Sequence, residues 1–297
     1  MKKIIKIISP HQKELINYSI RQVRNNIERS SIDQLCIVSA IFGGSDYSDT
    51  LRDTFLNVNE DIFIFTDEEN LFENFIKYNN FKIIYIPKNL LLDNPRLTAK
   101  TFKVLLPIIF CRFFKSGIWI DANVEIKNFN SFFPVIKQES ADTNFIVGFQ
   151  HIKSRNIIQE ILYILFFRKD NFRNLLKALI KLSTYAFRKN KIYILFKPIY
   201  WGGFLYYRNF NKKSSLLWWY FINNSSIRDQ LSLPIIFNIN SSTRLKLSRF
   251  DSPPSPVKHK QYIHYSVDKS SILFNKLQMV LYKTYTKLRK FKTSLFK

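Results

Sequence analysis

Four stretches of the sequence carry side chains whose types and spacing can do chemistry. The first is Lys115-Ser-Gly-Ile-Trp-Ile-Asp-Ala-Asn-Val-Glu-Ile126. The apolar run Gly117-Ile-Trp-Ile120 reads as a buried strand that stops abruptly at Asp121-Ala-Asn123. Along an extended strand, residues i and i+2 point to the same side. A carboxylate and a carboxamide spaced that way can offer two oxygens to one hard cation such as Mg²⁺ or Mn²⁺, or to a ribose and a cation together. The same tripeptide can equally be a simple turn after a strand, because Asp and Asn are common turn formers. The second stretch places Arg96, Lys100 and Lys103 at i, i+4 and i+7 on one face of a helical pattern from Leu97 to Phe114. A solvated face and an anion-facing stripe both account for that spacing. The third, Pro198-Ile-Tyr-Trp-Gly-Gly-Phe-Leu-Tyr-Tyr-Arg208, sets Gly202-Gly203 among aromatics. That suits a floor on which a sugar or base stacks, and it also suits core packing. The fourth, Arg228-Asp-Gln-Leu-Ser-Leu-Pro234, opens with three polar residues and reads as a helix ending at Pro234.

These stretches need a scaffold, and the pattern around them supplies one. Leu35 to Phe42 is a continuous apolar run, a strand buried on both faces, and it ends in Gly43-Gly44-Ser-Asp46. Paired glycines allow close approach of backbone to ligand, but this is neither a P-loop nor a dinucleotide fingerprint. Asp61-Ile-Phe-Ile-Phe-Thr-Asp67 is a second strand ending in a carboxylate, and Lys82-Ile-Ile-Tyr-Ile-Pro87 a third. Strands alternating with helices define an α/β sheet, and such sheets bind ligands beyond the carboxyl ends of their strands. Gly43-Gly44, Asp67 and Asp121-Ala-Asn123 all fall at such ends.

The predicted organisation has three parts. Residues 1–34 form a helical lead-in. Residues 35–250 form the α/β domain, with a basic, aromatic helical insertion at 151–197 that begins with His151 and Arg155. Residues 251–297 comprise a Pro-rich linker and a basic amphipathic helix from Ser271 to Phe296. Leu216-Leu-Trp-Trp-Tyr-Phe-Ile222 reads as a buried helix.

Composition narrows the class. The chain has 297 residues, is 46% hydrophobic, and carries a net charge of +24, which calls for an anionic partner. After Asp268 there is no acid, and every charged residue is Lys or Arg. Cys36 and Cys111 lie in apolar runs, as reduced core thiols rather than a disulfide framework. The first apolar stretch is broken by Lys6, so it is no secretory signal, and no run reaches the ~20 residues of a bilayer span. The expected setting is the cytoplasm, with peripheral contact at the inner face of the cell membrane through the C-terminal helix. Despite the charge, no nucleic-acid-binding motif is present, so nucleic acid is not the expected partner.

Taken in order, the motifs resemble those of GT-A type glycosyltransferases. More narrowly they resemble the TOD1/MUCI70-like hexosyltransferase family, formerly a domain of unknown function. The matching residues are Ala40-Ile-Phe-Gly-Gly-Ser-Asp46, Phe63-Ile-Phe-Thr-Asp67, Pro95-Arg96 with Lys100 and Lys103, and Ile118-Trp-Ile-Asp-Ala-Asn123. They continue with His151 and Arg155, Gly202-Gly203 with Arg208, Trp218-Trp219, and Arg228-Asp-Gln-Leu-Ser232. The series spans roughly residues 35–240.

The resemblance implies a GT-A fold: a Rossmann-like mixed sheet flanked by helices, with the helical insertion and C-terminal amphipathic helix appended. It implies transfer of a hexose from a nucleotide-sugar donor, a UDP-sugar foremost, to a hydroxyl of a surface glycan or lipid-linked acceptor, with Mn²⁺ or Mg²⁺. Asp121 and Asn123 stand where such enzymes carry a DxD motif, and Asn123 departs from it by one negative charge. A late histidine, His264 or His259, would complete the metal site. Phe42, Gly43 and Asp67 would hold the base and ribose. Arg96, Lys100 and Lys103 would face the diphosphate, with Gly202 and Gly203 lining the donor site. Asp229, with Arg228 and Gln230, would position or deprotonate the acceptor. The competing expectation is a catalytically inactive glycan- or partner-binding relative, which the loss of one acid at Asn123 favours.

Overall fold

The computed structural model describes residues 8–27, 35–43, 47–71, 75, 78–139, 141–142, 145–150, 155–166, 170–239, 242–245 and 254–256. His151, His259, His264, Gly44 and the predicted C-terminal helix lie outside the described residues.

Nine strands are described: β1 (Leu35–Ile41), β2 (Asp61–Thr66), β3 (Phe81–Tyr85), β4 (Ser116–Ile120), β5 (Val124–Glu125), β6 (Ile146–Gln150), β7 (Tyr200–Tyr207), β8 (Thr243–Leu245) and β9 (Ser255–Pro256). Seven form one sheet in the order β3-β2-β1-β4-β7-β6-β8. The first four are parallel. β7 is antiparallel to both β4 and β6, and β8 is parallel to β6. The expected class, a Rossmann-like mixed sheet flanked by helices, is what the chain adopts.

The continuous apolarity of the strands has a direct physical cause: both faces of the sheet are covered. Cys36 and Val38 of β1, Phe63 and Phe65 of β2, and Trp119 of β4 enter one core. The intervening Ile37, Ile62, Ile64, Ile118 and Ile120 enter the other. The first core is roofed by α1 (Pro10–Asn25), α3 (Pro95–Val104), α4 (Leu106–Phe110), α8 (Lys212–Asn224) and α9 (Asp229–Ile239). The second is roofed by α2 (Ser48–Phe55) and α5 (Phe129–Glu139). A third core lies within the insertion, where α6 (Ile157–Phe166) and α7 (Phe172–Arg188) pack on Phe221 of α8 and on Leu231 and Ile235 of α9. The helix α1 is tied into the first core by Leu15, Ile16 and Val23, and Gln12 accepts a hydrogen bond from Trp219 Nε1 at 3.3 Å.

Three local expectations are corrected. The helical pattern from Leu97 to Phe114 breaks at Leu105 into α3 and α4, because Pro107 has no N–H to continue the first helix. The helix expected to stop at Pro234 runs on to Ile239. An interior proline costs about 3 kcal/mol, and burial of Leu231, Leu233, Ile235, Ile236 and Phe237 outweighs it. The Pro-rich stretch read as a linker is partly structured: Ser255–Pro256 pairs antiparallel with Val124–Glu125, beside the turn that follows β4. Cys36 and Cys111 are free thiols, as expected. Among the described residues no helix is long and apolar enough to cross a membrane.

Candidate active site

The parity of β4 decides where its chemistry points. Trp119 faces the core roofed by α3, so Asp121, two residues on, faces α3 as well. The contacts bear this out. Trp119 Nε1 donates to Asp121 Oδ1 at 2.7 Å, and Lys103 Nζ of α3 lies 3.3 Å from the same oxygen. Lys103 Nζ also sits 2.5 Å from Asp229 Oδ2, at the first turn of α9. Lys100, one turn earlier on α3, reaches that Asp229 oxygen at 2.8 Å. Two lysines and two aspartates thus form one cluster at the carboxyl end of β4. Asn94 caps α3, its side chain accepting from Arg96 N at 2.9 Å, which fixes the helix start and so the phase of both lysines.

Burial grades the cluster. The Lys103 side chain is 0% exposed and that of Asp229 8%, whereas that of Asp121 is 35% exposed. Burial alone would raise the Asp229 pKa, but Lys100 and Lys103 outweigh it and hold the carboxyl well below the usual carboxylate range. Burial works against the charge on Lys103, yet Asp121 and Asp229 keep its pKa above the ordinary lysine value. Asp229 is therefore a fixed anion, and Asp121 is the member open to a ligand. Both contacts to Asp121 fall on Oδ1, so Oδ2 is the oxygen turned to other use.

The glycines make the cluster possible. The pairing of β6 with β7 steps from Gly148–Leu205 to Phe149–Trp201, so β7 bulges at residues 202–204. A Cβ on Gly202 would stand 2.6 Å from Asp229 Oδ2 and 2.8 Å from Lys103 Nζ. A Cβ on Gly203 would stand 2.5 Å from the Trp201 ring, which folds over that residue. The Gly203 carbonyl accepts from Asp121 N at 2.8 Å and pins the start of the turn. Tyr207, further along β7, donates from its hydroxyl to the Lys103 carbonyl at 2.6 Å.

The remaining predicted residues divide into two groups. Arg228 precedes α9, and its pKa is lowered by burial and then by Arg96, which places two guanidinium groups near each other beside the cluster. The Gln230 backbone N–H donates to Asp229 Oδ1 at 3.2 Å. At the neighbouring end of β2, the Asp67 carboxylate accepts from Gly43 N at 3.3 and 3.4 Å. Gly43 has φ +76°, and a Cβ there would meet Pro95 at 3.1 Å. Asp67 lines a cleft of about 530 Å³ with Glu68, Glu69, Asn70, Tyr85 and Lys88. Only β1 separates β2 from β4, so Asp67 and Asp121 lie on the order of 10 Å apart across the sheet. Phe42 is buried at 8% exposure and stacks on Phe102, so its ring belongs to the core rather than to an open base platform. The expected extended geometry of Asp121-Ala-Asn123 also does not hold. β4 ends at Ile120, and Val124 N donates to Asp121 O at 2.9 Å, closing a tight turn to which the i, i+2 rule of an extended strand does not apply.

Trp119, Tyr207 and Trp201 were not among the predicted site residues. For Trp119 the signal was present: it stands two residues before Asp121 on the same strand. For Tyr207 no sequence feature distinguishes it from Tyr206.

A divalent ion finds a thin ligand set here. Among the described residues no group of three His, Cys, Asp or Glu is placed to hold a metal. The protein can offer Asp121 Oδ2 with Asn123 nearby, which suits an ion that arrives with phosphates better than a resident one. The comparisons with known proteins are sparse. No protein-family model matches the chain, and no curated protein matches it. Among solved structures it is similar to mouse xyloside xylosyltransferase 1 in its apo form, with a TM-score of 0.44 and 8% identity over 71% of this chain and 84% of that one. A likeness at that level does not extend to chemistry.

Proposed function

We propose that the chain is a glycosyltransferase that moves a hexose from a nucleotide-sugar donor to a hydroxyl of a glycan or lipid-linked acceptor. One observation carries the reading: the Lys100–Lys103–Asp121–Asp229 cluster at the carboxyl end of β4, with Asp121 as its exposed member. The ordered series of motifs from residue 40 to 232 supports it independently.

The donor would lie across the strand ends. Its ribose diol suits the Asp67 carboxylate and the acidic cleft at β2 and β3. Its diphosphate would then reach toward Asp121, where Arg96, Arg228 and Lys100 supply positive charge for the leaving group. A Mn²⁺ or Mg²⁺ ion would be held by Asp121 and Asn123 and would supply further charge neutralisation at the phosphates. Lys103 is too deeply buried to touch the donor, so its part is to hold Asp121 and Asp229 in place. Asp229, held as a fixed anion by two lysines, is a poor proton acceptor, so we assign it a positioning role.

The test is isothermal titration of UDP and GDP with Mn²⁺ and with EDTA, for the wild type and Asp121→Asn. The asparagine keeps the acceptor for Trp119 and removes the charge. Metal-dependent binding of one nucleotide, weakened at least about tenfold in the variant, is the expected result. A glycan- or partner-binding relative is the second reading, favoured because Asp121 Oδ1 is already taken by Lys103 and Trp119. Absence of binding for both nucleotides in every metal condition would leave a donor built on a different nucleotide or this second reading, and would move the weight toward the latter.

A further inference from the structure

The helical insertion presents a surface that the donor site does not use. At about 100° per residue, α7 divides into three stripes. Leu175, Ala178, Leu182 and Ala186 are buried in the insertion core. Phe172, Leu176, Ile180 and Phe187 are exposed, and they fall within about 80° of arc. Arg173, Lys177, Lys181 and Arg188 fall in the adjoining arc of similar width. The exposure is large for apolar groups: 56% for Ile180 and 68% for Phe187. Beyond the helix, Asn190 turns the chain with φ 53°, and a 3-10 turn (Ile192–Phe196) follows with Ile192, Tyr193 and Phe196 exposed.

Charge decides what such a face accepts. Residues 171–228 contain no Asp or Glu, and the stretch 171–200 alone holds seven bases. Burial, and to a lesser degree Lys177, lower the Lys181 pKa. A second copy of this face would meet it with the same sign of charge. So would the segment after Asp268, in which every charged residue is Lys or Arg. A row of apolar side chains flanked by cations fits a surface with acyl chains below and anionic headgroups above.

We infer that α7 and the 3-10 turn after it form a membrane-docking face that lies on an anionic lipid surface, with Phe172, Leu176, Ile180 and Phe187 entering the headgroup–acyl boundary and Arg173, Lys177 and Arg188 at the headgroups. The inference stands apart from the donor site. Full-length protein is sedimented with phosphatidylglycerol/phosphatidylcholine vesicles and with pure phosphatidylcholine vesicles. Two triple variants are compared with the wild type: Leu176→Gln/Ile180→Gln/Phe187→Gln and Arg173→Gln/Lys177→Gln/Arg188→Gln. All six positions are surface positions, so thermal unfolding reports whether each variant keeps its fold. The wild type binds the anionic vesicles and only weakly the neutral ones. Each variant loses about tenfold or more in vesicle partitioning with an unchanged unfolding midpoint. Four results overturn the inference: no vesicle binding by the wild type, full binding by the folded apolar variant, concentration-dependent self-association that the apolar variant abolishes, or binding to generic RNA or DNA that depends on the cations while vesicle binding does not.

Discussion

Two basic regions of this chain handle their charge in opposite ways. In the cluster beyond β4, Lys103 is fully buried and touches two carboxylates, and Lys100 shares one of them. On α7, Arg173, Lys177 and Arg188 are exposed in a stretch without a single acid. The net charge of +24 therefore does not describe one surface. Buried cations must be paired, because desolvation is too costly otherwise, and they act as structural members. Exposed cations cost little to keep and are available to a partner. The difference predicts which substitutions damage the fold and which only change what the protein binds.

The largest effect is expected from Asp229→Ala. It leaves Lys100 and Lys103 facing each other with Asp121 as their nearest carboxylate, and removing one partner of a buried pair costs about 3–5 kcal/mol. Denaturant unfolding should show it, and a loss below ~1 kcal/mol would mean that the cluster is far wetter than its exposure implies. Next comes Gly202→Ala. Its Cβ would press on Asp229 Oδ2 and Lys103 Nζ, and overpacking of that kind costs about 1–3 kcal/mol. If Gly202→Ala unfolds like the wild type, the β7 bulge has room to yield and the glycine is no structural requirement.

Acid should separate the two regions as well. The folded-state pKa of Asp229 is depressed, so its contribution is complete above the unfolded value of about 3.9 and is lost as pH falls below it. Thermal midpoints should therefore drop below about pH 4, and less so in Asp229→Asn, which has no charge to lose. A parallel drop in both proteins would assign the acid sensitivity to other carboxylates. The smallest effect on stability is expected from Arg173→Gln/Lys177→Gln/Arg188→Gln, within about 0.5 kcal/mol of the wild type. A larger loss would show that the α7 cations are tied into the fold, which would erase the contrast.

Sequence patterning reveals the sheet because the strands are buried on both faces, and continuous apolar runs such as Leu35–Ile41 follow directly from that. It brings Asp121, Lys103, Lys100 and Asp229 forward one by one, but not as a cluster. Lys103 and Asp229 are over a hundred positions apart, and only the tertiary fold, which brings the first residue of α9 to the α3 lysines, makes them neighbours. Asp121 and Asn123 mislead for a local reason. The i, i+2 rule needs extended backbone, and the bond from Val124 N to Asp121 O shows that extension has already ended. Phe42 misleads because an aromatic at a strand end looks the same in sequence whether it faces a ligand or, as here, Phe102. The halt expected at Pro234 fails because local propensity there is weaker than the apolar burial around it.

The pairing of Asp229 with two lysines also sets an order of events during synthesis. A ribosome releases Lys100, Lys103 and Asp121 well before α9, so the early chain holds two cations and one carboxylate. Sealing Lys103 from water at that stage would strand charge in a dry interior. Its full burial is expected to coincide with the arrival of Asp229, its second carboxylate partner. Pulse-labelling hydrogen exchange during refolding tests this, because amides of α3 should gain protection together with those of α9 rather than with those of β1 and β2. On that expectation Asp229 is a late-arriving latch, delivered by the antiparallel half of the chain to a lysine of the parallel half.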